Sequence, residues 1–553
     1  MNSILPRYLH IAILALLTAW ILPNTNAQNL RTVQTADITS PHPKLVLWLV
    51  VDNLSQEQLH IVMPRLGENG IKRIFNGGTQ LAHAYYDAGG NYAGKNMATL
   101  FTGAPACTHG IVGEQWIDHF SNHRIHAIFG DAYDSNTGKL DSALNVCNDQ
   151  LFCSTIGNQI RRIYNDKAKM YAVGFHPENL LWASGTHVPE PVIWFDAANG
   201  NMRAENVSVD SVNHKWIAEF NSLRFADIYL NRTWAPSHDI STYHVSRFFP
   251  DERPNKFYYP MRQPLGSSLP RYGRLVGSPF GNTLIRDFAT SLLLNENMGK
   301  DDIPDMLTLE FSLSPSVCPK QQPIDAESED LLLQLDECVA SLLKAIDQHI
   351  GMHNTLVVFT AAQSIFDLQA TQSSHWKPRG VVSMRKATAI LNLYLMAKHG
   401  QAQWVRNYAP GAIYLDREVA KSHNVSWDSL LNESAEFLHE VKGIERAIVA
   451  KNLDLMDSDL PIVQMMRRNY HPKRSGDIVL YLQPGWADEM DDGRHIQQQW
   501  VEEPVPLAFY GWRIPHALIY ESHSMKDVAP TVTRLIGVAN PDGCSGEAIN
   551  LLK

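Results

Sequence analysis

The sequence lacks any cluster of basic residues and carries little charge of either sign. Charged residues make up 19% of the 553 residues, and the formal net charge is -10. A surface that binds nucleic acid needs concentrated Lys and Arg side chains to neutralise phosphates, so this absence argues against a nucleic-acid partner. Internal repeats and low-complexity tracts are absent as well. The hydrophobic content of 44% is typical of a folded globular chain.

Cysteine is scarce, and its spacing excludes common metal motifs. The chain has six cysteines, with no CxxC pair and no Cys/His pair at zinc-finger spacing. Two pairs are candidates for disulfide bonds in an oxidising compartment, Cys147 with Cys153 and Cys318 with Cys338. Six cysteines allow fifteen pairings, so the sequence leaves the pairing open.

Long apolar runs are also missing, apart from one at the N-terminus. Arg7 precedes the run LHIAILALLTAWIL at 9–22, and small residues follow up to Ala27. This pattern predicts a signal peptide over residues 1–27 and therefore an exported protein, periplasmic or secreted. An uncleaved membrane anchor is the alternative, although the run is short for a membrane span. After signal cleavage, no further transmembrane segment is expected.

What the sequence does contain is an alternation of buried strands and amphipathic helices. Strands are predicted at 44–52, 169–175, 305–313 and 355–361, and helices at 154–165, 278–297 and 326–350. This alternation predicts an α/β fold with a doubly wound, mainly parallel sheet. Two stretches break the rhythm and are predicted to be inserted lobes, at about 180–276 and 388–473. The second lobe is expected to contain a strand, AILNLYLMAK, and the core to resume at 477–486.

Several motifs in order along the chain resemble those of the alkaline phosphatase superfamily. They are VVDNLSQEQL, LFTGAPACTHGIVGEQW, STIGNQI, SPFGNTLIRDFA, LQLDECVASLLKAID, NYHPKRSGDIVLYLQPGW, PLAFYGWRI and APTVTRLIGVANPDGCSGEAI. The most similar branch is the type I phosphodiesterase/nucleotide pyrophosphatase-like group, which includes exported phosphate-irrepressible bacterial alkaline phosphatases. The resemblance implies a parallel-sheet core with a cap-like insert. It also implies two zinc ions that hold a phosphoryl group for attack by a Thr or Ser oxygen.

The family's catalytic positions, however, are almost all replaced in this sequence. The first strand still ends in the family's metal-binding aspartate, Asp52. The nucleophile position holds Ala93. The remaining family ligand positions hold Pro315, Pro319, Ala362, Gln363 and Pro504. One carboxylate does not hold a zinc ion, and an alanine has no oxygen to activate.

The positions that contact phosphate in the family are altered too. Glu114 stands where an Asn is expected, and His176 and Glu178 stand where the branch has two cations. Two carboxylates beside a phosphate dianion would repel it. No cofactor is therefore expected, although two zinc ions would be required if the chain were active.

Other residues of the chain could still carry chemistry. His119, His123 and His126 have a spacing that suits a metal site, but a polar hairpin is the favoured interpretation. Structural roles are favoured for the remaining candidates over a nucleophile, a base or an anion contact; these are Tyr92, Cys107, His109, Lys473, Arg474, Asp491, Asp492, Arg494 and His495.

The sequence therefore favours a catalytically inactive pseudophosphatase of the cell envelope with a binding or scaffold role. Its partner would be an unknown protein or envelope ligand. The aromatic-rich stretch 242–260 either contacts this partner or packs the lobe against the core. The alternative is a divergent metal-dependent phosphomonoesterase or phosphodiesterase. An enzyme with different chemistry in the same cleft is a third possibility, for which no constellation is visible.

Overall fold

The structure is a computed structural model of the chain, in which Pro41–Lys553 form one compact unit. The residues described are 41–87, 92–129, 133–134, 139–140, 146, 149–185, 192–204, 214–244, 257–317, 325–364, 380–456, 459–489, 495–496 and 502–552. The predicted signal peptide at 1–27 lies outside these ranges, as do Cys147, Cys318, Pro319 and the stretch 491–494. Within the described residues, no helix combines the length and the apolar character that a membrane span requires.

The strands alternate with helices along most of the chain. In chain order the strands are β1 (Leu45–Asp52), β2 (Thr79–Tyr86), β3 (Gln115–Ile117), β4 (Arg124–His126), β5 (Tyr133–Asp134), β6 (Lys139–Leu140), β7 (Met170–Gly174), β8 (Val192–Asp196), β9 (Asn201–Ala204), β10 (Thr233–Trp234), β11 (Tyr259–Pro260), β12 (Asp305–Ser312), β13 (Thr355–Ala361), β14 (Gly380–Ser383), β15 (Val405–Ala409), β16 (Ala412–Leu415), β17 (Ile444–Val449), β18 (Ile478–Leu482), β19 (Trp486–Glu489), β20 (His495–Ile496), β21 (Glu503–Gly511) and β22 (Ala517–Ser524).

The α-helices of the described residues range from short to long. They are α1 (Gln56–Val62), α2 (Ile71–Gly77), α3 (Ala93–Thr102), α4 (Ala106–His109), α5 (Ile156–Tyr164), α6 (Pro177–Ser184), α7 (Lys215–Ser222), α8 (Phe225–Leu230), α9 (Pro279–Asn295), α10 (Ala326–His349), α11 (Met384–His399), α12 (Arg417–Ser422), α13 (Trp427–His439), α14 (Pro461–Asn469) and α15 (Val528–Ile536).

A central sheet of nine strands organises the chain, in the order β22-β2-β21-β13-β1-β12-β7-β8-β9. Five neighbouring strands, from β13 to β8, run parallel, whereas β21 and β9 are antiparallel to their neighbours. Strands β1, β12 and β13 are buried along their whole length. Strands buried on both faces favour apolar side chains on both, and β1 and β13 accordingly contain runs of consecutive apolar residues in the sequence. The predicted α/β fold with a mainly parallel sheet is confirmed.

The second lobe has a separate four-stranded antiparallel sheet, in the order β15-β16-β18-β17. Two sequence predictions for this lobe are wrong. The segment AILNLYLMAK lies within helix α11, where Ala387, Leu391 and Leu395 are buried at a helical spacing of four residues. The segment at 477–486 contains β18, which pairs with β16 and β17 and so belongs to this lobe rather than to the central sheet.

The first predicted lobe begins later than its sequence suggests, because β8 and β9 extend the central sheet. Further along, the Asp330 carboxylate of α10 accepts hydrogen bonds from the Trp234 indole and the Tyr243 hydroxyl, both at 2.6 Å. The Trp234 ring packs against Phe257 and Tyr259. Tyr243, Phe257 and Tyr259 therefore pack the lobe onto the core, whereas Tyr258 is exposed. Residues 245–256 lie outside the described chain.

Candidate functional site

The candidate site lies at the carboxyl edge of the parallel strands, where ligand sites of open α/β sheets are found. Asp52 ends β1 between the ends of β12 and β13, and its side chain is buried. Its carboxylate accepts hydrogen bonds from the Gln363 amide at 3.1 Å and the Ser312 hydroxyl at 3.4 Å. The sequence-predicted positions 52 and 363 are therefore in direct contact.

The predicted nucleophile position lies in the same cleft. Ala93 is the first residue of α3, and no side chain caps this helix end. In the first turn of α3, the Asn96 amide donates a hydrogen bond to the main-chain oxygen of Ala362 at 3.1 Å. Both alanine side chains are buried. The helix turn that begins at the predicted nucleophile position thus contacts the main chain of a predicted ligand position, and both positions hold alanine.

One side of the cleft is formed by Asp52, His176 and Glu310, called here the histidine side. These residues offer metal-binding atoms that all lie within 4.8 Å of one another. The His176 Nδ1 lies 2.7 Å from the Glu310 Oε1. Glu310 also accepts hydrogen bonds from the main-chain NH groups of Phe175 and His176, both at 2.8 Å, and from the Asn179 amide at 2.7 Å. This buried carboxylate therefore fixes the turn between β7 and α6 that carries His176.

The charges on the histidine side stabilise one another. Burial alone would lower the pKa of His176, but the charge and hydrogen bond of Glu310 raise it to about 10. Burial would raise the pKa of Glu310, but His176 and the hydrogen-bond donors bring it below its usual value. Burial raises the pKa of Asp52, and the charge of His176 offsets this rise only in part. His176 and Glu310 accordingly form a buried ion pair at neutral pH.

A second group of polar residues comprises Lys95, Asn96 and Glu503, called here the lysine side, and it lies near enough for the charge of Asp52 to act on Glu503. The Glu503 carboxylate accepts hydrogen bonds from the Asn96 amide at 3.2 Å and from the Ser364 main-chain NH. Burial raises the pKa of Glu503 to about 7. Burial likewise lowers the pKa of Lys95 to about 8, although the charge of Glu503 opposes this shift.

Glu503 of the lysine side directly precedes Pro504, which the resemblance assigns to a metal-ligand position. Strand β21 pairs Pro504 with Tyr85 of β2, and the Pro504 side chain is exposed. The preceding residue, Glu503, is the one that reaches the cleft. The assignment of Pro504 to a family ligand position stays a prediction, and the structure adds a carboxylate beside it.

The altered phosphate-contact positions surround Tyr92, the residue before α3. Burial, with the nearby charges of Glu178 and Glu114, raises the pKa of the Tyr92 hydroxyl. Among the described residues, this buried hydroxyl has no hydrogen-bond partner. Burial also raises the pKa of Glu178, while His176 opposes the shift. Two carboxylates therefore lie near the start of α3, where the family binds phosphate.

The three histidines at 119–126 belong to a hairpin of β3 and β4, as favoured from the sequence. His119 lies 3.0 Å from the main-chain oxygen of Ser475, His123 is exposed, and the His126 Nδ1 accepts the NH of Ile128. Within the described chain, the three do not form a group of potential metal ligands.

The other candidates have structural surroundings. His109 is buried and lies 3.1 Å from the Thr99 hydroxyl of α3. Burial raises the pKa of the Cys107 thiol, which disfavours a reactive thiolate. Arg474 is buried between the rings of Trp116 and Phe152. Its guanidinium donates to main-chain oxygens, so it does not offer a surface contact for anions.

The family's pair of zinc ions does not fit the described residues. Pro315 is buried in the turn after β12 and has no donor atom to offer, and neither has Ala362. Gln363 directs its amide nitrogen at Asp52 rather than offering a ligand atom there. Two zinc ions would need several carboxylates and imidazoles, and the described cleft provides one group of three.

Comparison with known proteins agrees with the fold. The family model of type I phosphodiesterase / nucleotide pyrophosphatase matches residues 46–502. The chain belongs to this family. It is 25% identical over 524 residues to a protein named calcium-transporting ATPase from Myroides odoratus, covering 92% of this chain and 94% of that protein. It is also 25% identical over 521 residues to alkaline phosphatase PafA from Elizabethkingia meningoseptica, with coverage of 92% and 94%.

A solved structure shows the same architecture. The crystal structure of wild-type alkaline phosphatase PafA superimposes with a TM-score of 0.79 at 23% identity, covering 93% of this chain and 99% of that chain. At this identity the likeness establishes the fold. Together with the family match, it confirms the predicted membership of the alkaline phosphatase superfamily.

Three charged residues of the cleft were missed from the sequence. Glu310 lies within the buried strand β12, and an acid near the carboxyl end of a predicted strand was the signal that could have found it. Lys95 is buried in α3 beside the nucleophile position. Glu503 directly precedes Pro504, so the alternation of side chains along a strand separates it from the residue that was considered.

Proposed function

We propose that the chain is an exported, catalytically inactive member of its family that uses the cleft for binding rather than hydrolysis. The observation that supports the proposal is the presence of alanine at positions 93 and 362, which the family resemblance assigns to the nucleophile and a metal ligand, together with the contact between the helix turn that begins at Ala93 and the main chain of Ala362. Neither side chain has an atom that attacks phosphorus or binds a metal. Hydrolysis by the family's route requires both functions.

The charges of the cleft support the same proposal. The start of α3 alone would attract an anion through its free NH groups. Glu178 and Glu114 counter this attraction, since their charges reach the Tyr92 hydroxyl at the same helix end. The cation of His176 is already paired with Glu310 and is not available to a phosphate. A phosphate dianion therefore lacks the positive surroundings that would stabilise its transfer.

The binding role is assigned to the cell envelope because of the predicted signal peptide, and the partner is a protein or an envelope ligand. The alternative, a divergent metal-dependent phosphatase or phosphodiesterase, agrees with the name of the relative alkaline phosphatase PafA. It needs replacement ligands for two metal ions. Among the described residues, the hairpin histidines do not form a group of potential metal ligands with one another or with Asp52.

A hydrolysis assay tests the proposal directly. The purified mature chain is incubated with p-nitrophenyl phosphate and bis-p-nitrophenyl phosphate in the presence of added Zn²⁺, with an active relative such as PafA as the positive control. We expect no turnover above that of the Asp52→Ala variant. Zinc-dependent turnover that Asp52→Ala abolishes would refute the proposal and favour the hydrolase alternative.

A further inference from the structure

The histidine side combines two buried carboxylates and one partly exposed imidazole in one place. Asp52 comes from the end of β1, Glu310 from the adjacent strand β12, and His176 from the turn after β7, which is the next strand in the sheet. The sheet itself thus brings the three side chains together. The group shares Asp52 with the ligand positions that the resemblance assigns to the family's zinc site, whereas neither His176 nor Glu310 belongs to those positions, so the set of three differs from the family's.

The spacing of the three groups suits one metal ion. A zinc ion lies about 2.0–2.2 Å from each nitrogen or oxygen ligand, so two ligands of one tetrahedral ion lie about 3.4 Å apart. The ligand atoms of Asp52, His176 and Glu310 are within 4.8 Å of one another. Side-chain rotations that shorten the widest separation by up to about 1.4 Å would bring all three to the same ion. The His176 side chain is 30% exposed, which leaves a path from solvent.

The remaining contacts of Glu310 keep its carboxylate in place for such an ion. Its Oε2 accepts two main-chain NH groups, from Phe175 and His176. Its Oε1 is the atom that contacts the His176 ring. A metal ion can replace the proton between His176 and Oε1 while the main-chain contacts of Oε2 persist. Two carboxylates with one neutral imidazole carry a charge of about −2, which a divalent cation balances.

We propose that Asp52, His176 and Glu310 bind a single divalent transition-metal ion, of which Zn²⁺ is the experimental probe. One imidazole and two carboxylates form a mixed nitrogen and oxygen set that suits zinc and its neighbours in the first row. Three protein ligands leave open coordination positions for water or for a ligand of the cleft. The site goes beyond the proposed binding role and holds whether or not the chain is catalytic.

Calorimetric titration of the metal-free chain with Zn²⁺ tests the site, with metal analysis of the dialysed complex as a second readout. We expect one ion per chain, and at least tenfold weaker affinity in Asp52→Asn and in His176→Gln. His123→Gln is the matched control, because it removes an exposed imidazole of the hairpin. Circular dichroism checks folding, and the near-isosteric Asp52→Asn keeps the test valid if His176→Gln fails to fold.

The outcomes separate this inference from the proposed function. Absence of Zn²⁺ binding, or equal affinity in Asp52→Asn, His176→Gln and the control, would overturn the single-ion site alone. Two bound ions together with Asp52-dependent phosphatase turnover would overturn both the site and the proposed function. One bound ion without turnover would support both.

Discussion

The histidine side and the lysine side differ in how they stabilise charged side chains that are removed from water. On the histidine side, His176 and Glu310 are in direct contact at 2.7 Å, and each shifts the pKa of the other toward the charged form. On the lysine side, burial dominates: it raises the pKa of Glu503 to about 7 and lowers that of Lys95 to about 8. One side holds a firm ion pair, and the other holds charges that are close to neutralisation.

This difference follows from how each acid is solvated by the protein. Glu310 has three hydrogen-bond donors besides the His176 ring, whereas Glu503 has Asn96 and the Ser364 main chain. A carboxylate with several donors and a close cation keeps its charge when it is buried, and one with fewer becomes easier to protonate. Accessibility differs as well, since the His176 side chain is 30% exposed and Lys95 is 1% exposed. A ligand or ion from solvent therefore reaches the histidine side first.

The largest effect is expected for Glu310→Gln. The glutamine amide nitrogen would face NH donors, and His176 would lose the acid that holds its charge. Removal of one partner of a buried ion pair typically lowers the free energy of unfolding by about 3–5 kcal/mol. Urea unfolding at neutral pH measures the change. A decrease in the free energy of unfolding of less than about 1 kcal/mol would show that the ion pair of His176 and Glu310 contributes little to stability.

A smaller effect with the opposite pH dependence is expected for Glu503→Gln. An acid whose folded pKa is raised to about 7 stabilises the fold below its unfolded value of about 4.3, and this contribution is lost as the pH rises to about 7. A glutamine at position 503 does not titrate, so the variant does not lose this stability as the pH rises. The stability of the variant relative to the natural chain should therefore rise with pH, by up to about 1.4 kcal/mol per unit over this range.

The matched comparison with Glu310→Gln sharpens the test. The folded pKa of Glu310 is lowered, so its contribution is present above the unfolded value and is lost as the pH falls through the folded value. The deficit of Glu310→Gln relative to the natural chain should accordingly shrink in acid. Urea unfolding of both variants across pH measures the two slopes. Slopes of the same sign would contradict the distinction between the two sides.

The sequence was informative where residues are buried on all sides and less so where charge is buried. Strands β1 and β13 were predicted because their apolar runs are continuous, and Asp52 and Ala93 were placed in the cleft by motif order. Helix α11 was mistaken for a strand because its leucines mask the four-residue spacing of its buried face. The ion pair of His176 and Glu310 could not be predicted from the sequence, since the two residues are 134 positions apart. They come together only because β7 and β12 are neighbours in the sheet.

The smallest effect is expected for Ala93→Thr, which places a hydroxyl at the start of α3 between the two sides. A threonine oxygen becomes a nucleophile when a metal ion or a base lowers its pKa. The imidazole of His176 is engaged with Glu310 or with the single ion proposed above, and Lys95 is buried, so neither side offers a free base. One ion also does not supply the two-metal clamp by which the family's chemistry activates the nucleophile and holds the phosphoryl group. We expect no gain in hydrolysis of p-nitrophenyl phosphate with added Zn²⁺, at unchanged thermal stability. Zinc-dependent hydrolysis by this variant, but not by the natural chain, would contradict this expectation. It would show that the site can activate a nucleophile and that the alanine at position 93 is the reason for the inactivity of the natural chain.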